Sequence, residues 1–166
     1  MIDHGFTDRT GRGVTLREVT DGNWRAVADV APLDTQRDFA PALAARYLLL
    51  SSREDTWHSF AVYAGELALG HVMWARDEDG SYWIGGVLVD GPEQGTGIGC
   101  AAARTLAAWL AGRDGCEVIR LSYDPANTAA AALWTSLGYL PTDAVEDDEV
   151  VVELAASAAV SAAASG

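Results

Sequence analysis

Cysteine is scarce. Cys100 and Cys116 are the two in 166 residues, they form no Cys-x-x-Cys pair, and two thiols cannot build a disulfide framework. This suits a reducing compartment, and a cytoplasmic location is expected. Long apolar runs are missing too. No stretch approaches the roughly 18 unbroken apolar residues of a membrane span, and residues 1–13 carry no apolar segment of the kind that directs export. No membrane association is expected. Basic residues are few, eleven against 24 acidic, for a net charge of -13. Such a field repels phosphate backbones, which excludes nucleic acid as a natural partner, and draws in cationic small molecules. His4, His58 and His71 are scattered with no partner at metal-ligand spacing, so no metal is expected. There is no Gly-x-Ser-x-Gly elbow and neither cysteine has the surroundings of a nucleophile, which argues against a covalent acyl-enzyme.

What is present fits one globular domain. A 17.5 kDa chain that is 49% hydrophobic and 21% charged can bury a substantial core. Residues 14–19 alternate apolar and polar as a strand. Asp21 or Asn23 is placed to cap a helix containing Trp24, Val27 and Val30, and a second helix is predicted over 41–50. Strands over 58–63, 67–76 and 82–90, joined by turns at Gly65 and Gly80, read as an antiparallel meander. Gly85-Gly86 predicts a bulge or a close backbone approach. A helix over 100–111 ending at Gly112, a strand over 116–123, a helix over 127–137 stopped by Gly138 and a strand over 149–154 complete the order. The domain is expected to span 14–154, with 1–13 flexible and the Ala/Ser-rich 155–166 too poor in bulky groups to order itself. The acidic run from Glu146 to Glu149 reads as a solvated turn.

One segment carries chemistry. A strand leads into Gln94-Gly95-Thr96-Gly97-Ile98-Gly99 and then a helix. Closely spaced glycines let backbone N–H groups converge at a helix N-terminus, where the macrodipole adds positive potential, and this suits a pyrophosphate. A P-loop is excluded because Gly99-Cys100 stands where Lys-Ser or Lys-Thr is required. A dinucleotide fingerprint is disfavoured by the two-residue glycine spacing and the antiparallel strands before it.

Gln94-x-x-Gly97-x-Gly99 after a strand resembles the coenzyme A loop of the GNAT N-acetyltransferases. Downstream, Leu121-Ser122-Tyr123-Asp124-Pro125-Ala126-Asn127, Leu133-Trp134 and Leu137-Gly138-Tyr139 resemble the next GNAT segment, in which an Asn opens a helix ending in Gly-Phe or Gly-Tyr. Thr20, Asn23-Trp24, Leu33, Gln36, Phe39 and Leu121-Ser122 are similar to the bacterial polyamine and diamine acetyltransferase branch. Two positions depart from it: Gly85-Gly86-Val87 where a basic residue is common, and Trp134 where most members carry Tyr.

The resemblance implies an α/β (α+β) GNAT fold, with a mixed, mostly antiparallel sheet of six to seven strands flanked by about four helices. It implies acetyl-CoA as cosubstrate, with the pantetheine arm between splayed parallel strands at 82–90 and 116–123. Leu88, Val89, Gln94, Gly95, Thr96, Gly97, Ile98, Gly99, Asn127 and Trp134 are the expected cofactor-binding residues, and the backbone N–H of Val89 the expected oxyanion donor. An indole does not titrate usefully, so Trp134 cannot protonate the departing thiolate, and water, Tyr123 or Tyr139 is left to do so. A carboxylate must relieve the ammonium of its proton; Asp90 is the candidate base, with Asp34 and Glu66 as further bases or acceptor ligands. The expected acceptor is a primary amine on a polyamine, diamine or small aminated metabolite. A non-catalytic acyl-CoA-binding module is the alternative, and relatives' habits suggest a homodimer.

Overall fold

The computed structural model describes residues 1–164. Its strands are β1 (Val14–Glu18), β2 (His58–Ala64), β3 (Leu67–Arg76), β4 (Tyr82–Val89), β5 (Val118–Tyr123), β6 (Leu140–Glu146) and β7 (Glu149–Ala155). Its helices are α1 (Trp24–Ala28), α2 (Ala45–Arg53), α3 (Ile98–Ala111), α4 (Thr128–Ser136) and α5 (Ala156–Ala164). The sheet runs β1-β2-β3-β4-β5-β7-β6, antiparallel throughout except for the parallel pair β4-β5.

Apolar side chains from alternate strand positions make one face of the core: Val14, Leu16, Val62, Val72, Ile84, Ile119 and Leu121. Against them lies α3, whose Ile98, Leu106 and Leu110 are at most 1% exposed. Alanines at 101, 102, 103 and 107 let this helix approach the sheet closely. On the opposite face, Leu88 packs with Val30 and Ala44 beneath α1 and α2.

Several expectations are corrected. The helix predicted over 41–50 starts only at Ala45, because the Ala44 N–H is used on Val30 O (2.9 Å) instead of a helical turn. Asn23 occupies the N-cap position of α1, but its side chain accepts from Thr20 N (2.8 Å) and donates to Glu18 O (3.0 Å). Strand β6 was not foreseen; as an exposed edge strand containing Pro141 it carries no alternating apolar signal.

Among the described residues both flanking segments pack on the domain. Ile2 pairs with Leu16, Phe6 is buried in the core, and the buried Asp8 accepts hydrogen bonds from Thr10 and Arg12. At the other end α5 packs along α3, burying Ala156 and Ala159, and Arg104 Nη2 donates to Ala162 O at 3.0 Å. A helix whose one branched apolar side chain, Val160, is exposed gains its order from contact with a neighbour lined by small residues. Residues 165–166 of the expected tail lie outside the described chain.

Candidate active site

Strands β4 and β5 stay paired only at Tyr82↔Ile119 and Trp83↔Arg120. Beyond these positions they diverge and leave facing backbone edges open. A bulge in β4 drives this: His71 pairs with Leu88 but Met73 with Gly85, so Val72 stands opposite both Gly86 and Val87. Gly86 has φ +55°, and a Cβ there would lie 3.2 Å from the His71 ring; at Gly85 a Cβ would meet the Trp57 indole at 2.9 Å. Both glycines are therefore required by the path of the strand.

His71 holds the bulge in place. It is fully buried, its Nδ1 lies 2.7 Å from Gly86 O and its Nε2 2.8 Å from Ser59 Oγ, and Tyr47 stacks on it at 5.3 Å. A carbonyl only accepts, so Nδ1 carries the proton and Nε2 accepts from the Ser59 hydroxyl. Burial lowers the imidazole pKa from 6.5 to about 4, which keeps the ring neutral.

At the end of β4 the loop turns into α3 through Gly95 (φ +79°) and Gly97 (φ +97°). By helix geometry the N–H groups of Ile98, Gly99 and Cys100 have no partner within α3. The side chains of the loop play other parts. Gln94 Nε2 donates to Val89 O (2.9 Å) and Gln36 Oε1 (2.7 Å), which braces the loop. Thr96 Oγ1 donates to Glu93 O (2.6 Å), and Ile98 is core. Of these two only the Ile98 N–H remains available to a ligand, because the Thr96 N–H donates to Glu93 O (3.4 Å) and its carbonyl accepts from Arg9 N (2.8 Å).

The opening and the loop share one cleft of about 930 Å³. Leu88, Val89, Gln94, Gly95, Gly97, Gly99, Tyr123, Asn127 and Trp134 all line it. Asn127 caps α4, accepting from Ala130 N at 3.1 Å. Other expected residues lie elsewhere. Tyr139 is buried behind Trp134, edge-on at 5.2 Å, and burial pushes its phenol well above the usual range, so it is not placed to hand a proton to the cleft. Asp90 accepts from Ala31 N (3.1 Å) and ties the end of β4 to the α1 side. Asp34 pairs with Arg37 at 2.8 Å on the surface, and Glu66, on the β2-β3 turn, faces Arg17 at 3.6 Å. None of these three lines the cleft.

Other residues do line it. Glu146, Asp147 and Glu149 come from the β6-β7 hairpin, whose tight turn has positive φ at Asp147 (49°) and Asp148 (68°). Glu149 Oε2 accepts from Ser122 Oγ at 2.5 Å, two residues beyond Arg120, where β5 stops pairing with β4. Tyr47, Trp57 and Trp83 supply aromatic walls. The acidic run is a turn, as expected, but three of its acids face the cavity.

Residues 16–139 match the sequence profile of the Acetyltransferase (GNAT) family. The chain belongs to the GNAT family of acetyltransferases. Membership makes it an acetyl-CoA-dependent N-acetyltransferase, and the open β4-β5 edges with the glycine loop beside them suit that cosubstrate. No curated protein matches this GNAT enzyme in sequence. Its fold is similar to the GNAT domain of S. lividans PAT (TM-score 0.71, 20% identity, 90% of this chain and 94% of that one). It is also similar to Mycobacterium smegmatis RimJ in complex with CoA-disulfide (0.72, 19%, 96% and 92%). A third likeness is to AAC(6')-Ib in complex with ribostamycin and coenzyme A (0.73, 17%, 87% and 94%).

Proposed function

We propose that this GNAT enzyme acetylates a primary amine of a small molecule carrying more than one positive charge, such as a polyamine, a diamine or an aminated metabolite of the aminoglycoside kind. The observation that carries the reading is the acidic hairpin: Glu146, Asp147 and Glu149 line the same cleft as the glycine loop and the β4-β5 opening. Aromatic walls at Tyr47, Trp57 and Trp83 favour alkylammonium groups through their ring faces. A chain with net charge -13 steers such cations inward. One solved structure of similar fold, an aminoglycoside acetyltransferase AAC(6')-Ib in complex with coenzyme A, acts on a substrate class of this chemistry.

In this reading the thioester lies in the β4-β5 opening. The Asp90 N–H bonds to Leu69 O in β3, so strand alternation turns the N–H of Val89 to the open side, where the carbonyl oxygen would develop charge. Glu149, half-buried and held by Ser122, takes the ammonium proton that the sequence reading had given to Asp90, Asp34 or Glu66. The free amine then attacks the thioester carbon, the tetrahedral intermediate collapses with breakage of the C–S bond, and the second proton lost from nitrogen passes through water to restore the hydroxyl that protonates the sulfur. Tyr123 lines the cleft at the end of β5, and in this reading its hydroxyl protonates the thiolate. A thiol of pKa near 8.5 is a fair leaving group, so its departure needs little assistance.

The test is a competition. Purified enzyme with acetyl-CoA is offered an equimolar mixture of spermidine, a short diamine, an aminoglycoside, a neutral-chain monoamine and a basic peptide, and products are read by mass. Acetylation concentrated on the multiply charged small amines is expected. Preference for the neutral-chain monoamine or the peptide would sink this assignment.

A further inference from the structure

The coenzyme A loop of this chain carries no cation of its own. From Gln94 to Ala103 there is no basic side chain, and the chain contains no lysine at all, its eleven basic residues all being arginine. Coenzyme A brings a diphosphate and a 3′-phosphate into a protein of net charge -13. Backbone N–H groups contribute partial charges, but a full positive charge must come from another segment if it comes at all.

It comes from the N-terminus. Arg9 N donates to Thr96 O (2.8 Å), Arg9 Nη1 donates to Gly95 O (3.1 Å), and a Cβ on Gly97 would lie 3.1 Å from Arg9 Cγ. Gly97 thus serves twice, allowing a left-handed turn and leaving room for Arg9 to lie on the loop. Arg9 lines both the main cleft and an adjoining cavity of about 240 Å³. It has no carboxylate partner among the described residues, whereas its neighbour Arg12 has two. Arg12 joins Asp8 (2.7 Å) to Glu93 (2.6 Å), which neutralises the acid nearest the loop. Burial opposes ionisation of Asp8, but hydrogen bonds from Thr10 and Arg12 outweigh it and hold the carboxyl well below its usual range. Arg104 lies over the Phe6 ring at 4.0 Å. The other arginine lining the main cleft, Arg76, is at the far end of β3 over Tyr82. Residues 1–13 therefore form a fixed strap whose free cation faces the loop.

We propose that Arg9 is a phosphate-binding residue of the acetyl-CoA site and that this strap, which lies outside the family-matched residues 16–139, is a built part of it. The inference rests on acetyl-CoA being the cosubstrate. Its guanidinium offers five N–H donors, and one is used on Gly95 O, so a bidentate grip on phosphate oxygens remains open.

The test measures binding of acetyl-CoA, dephospho-CoA and pantetheine to wild type, Arg9→Ala and Arg9→Lys by calorimetry at low and high salt. Arg9→Ala is expected to raise the Kd for acetyl-CoA roughly tenfold or more at low salt, with Arg9→Lys recovering part of the loss and pantetheine binding unmoved. A loss that persists with dephospho-CoA assigns the diphosphate, and a loss that vanishes with it assigns the 3′-phosphate; either supports the proposal. In turnover, KM for acetyl-CoA rises with Kd while KM for the amine stays put. Equal Kd values for acetyl-CoA in wild type and both variants would overturn the proposal and leave the acetyl-CoA reading standing. Failure of wild type to bind acetyl-CoA would overturn both.

Discussion

Acid should loosen this enzyme through one side chain. His71 is neutral in the fold, with its pKa lowered from 6.5 to about 4 by burial, while the unfolded chain takes up a proton near 6.5. The unfolded state then binds the extra proton, so the stability that His71 contributes is complete above its unfolded pKa and drains away as pH falls toward the folded one. At 1.36 kcal/mol per unit, the gap is worth about 3 kcal/mol in full, and about 2 kcal/mol is gone at pH 5. The assay is urea unfolding at about pH 7 and pH 5 for wild type and His71→Gln, which keeps a donor and an acceptor but does not titrate. Asp8 and the other carboxylates are common to both proteins and cancel in the comparison. Wild type is expected to lose about 2 kcal/mol more than the variant between the two pH values. Parallel losses would refute the assignment of a buried, neutral His71 clamping the Gly86 bulge.

Three further outcomes follow from named contacts. Glu149→Gln should lower kcat/KM about a hundredfold near neutrality, with the deficit shrinking at alkaline pH as solution supplies free amine, whereas Asp90→Asn should keep a wild-type pH profile. Trp134→Tyr should raise turnover by less than about tenfold while Tyr123→Phe lowers it by about tenfold or more; the reverse pattern in steady-state kinetics would show that Tyr123 is not the proton donor. Ending the chain after Ala155 strips α5 from α3 and should cost about 2 kcal/mol, seen as a melting temperature lower by about 4–8 °C; no change would mean that the helix adds nothing.

Local rules made most of the fold legible. Glycine turns marked the meander, Gly112 and Gly138 ended the two Ala-rich helices, and Gln94 to Gly99 marked the glycine loop that opens α3. What failed depends on contacts between distant segments. The ordering of residues 1–13 needs Phe6 to find the core and Arg9 to find Gly95, 86 positions away. Helix α5 is stable only against α3. Acids were judged by their neighbours in sequence, so Asp90 looked catalytic where it caps Ala31 N, while Glu149 was absorbed into a turn although it bonds Ser122 across the sheet. Tyr139 was plausible by type and is sealed behind Trp134. No local pattern encodes which side of a wall a side chain occupies.

The most direct test of the account is thiol release from acetyl-CoA, followed in a single turnover with enzyme in excess, first without an amine and then with spermidine or an aminoglycoside. Direct transfer in the β4-β5 opening predicts no release beyond the uncatalysed rate without amine, and stoichiometric release matched by N-acetylated product when amine is present. Silence with every amine while acetyl-CoA still raises the melting temperature would contradict the account and leave a binding module; a burst of thiol without amine would instead show an acyl-enzyme.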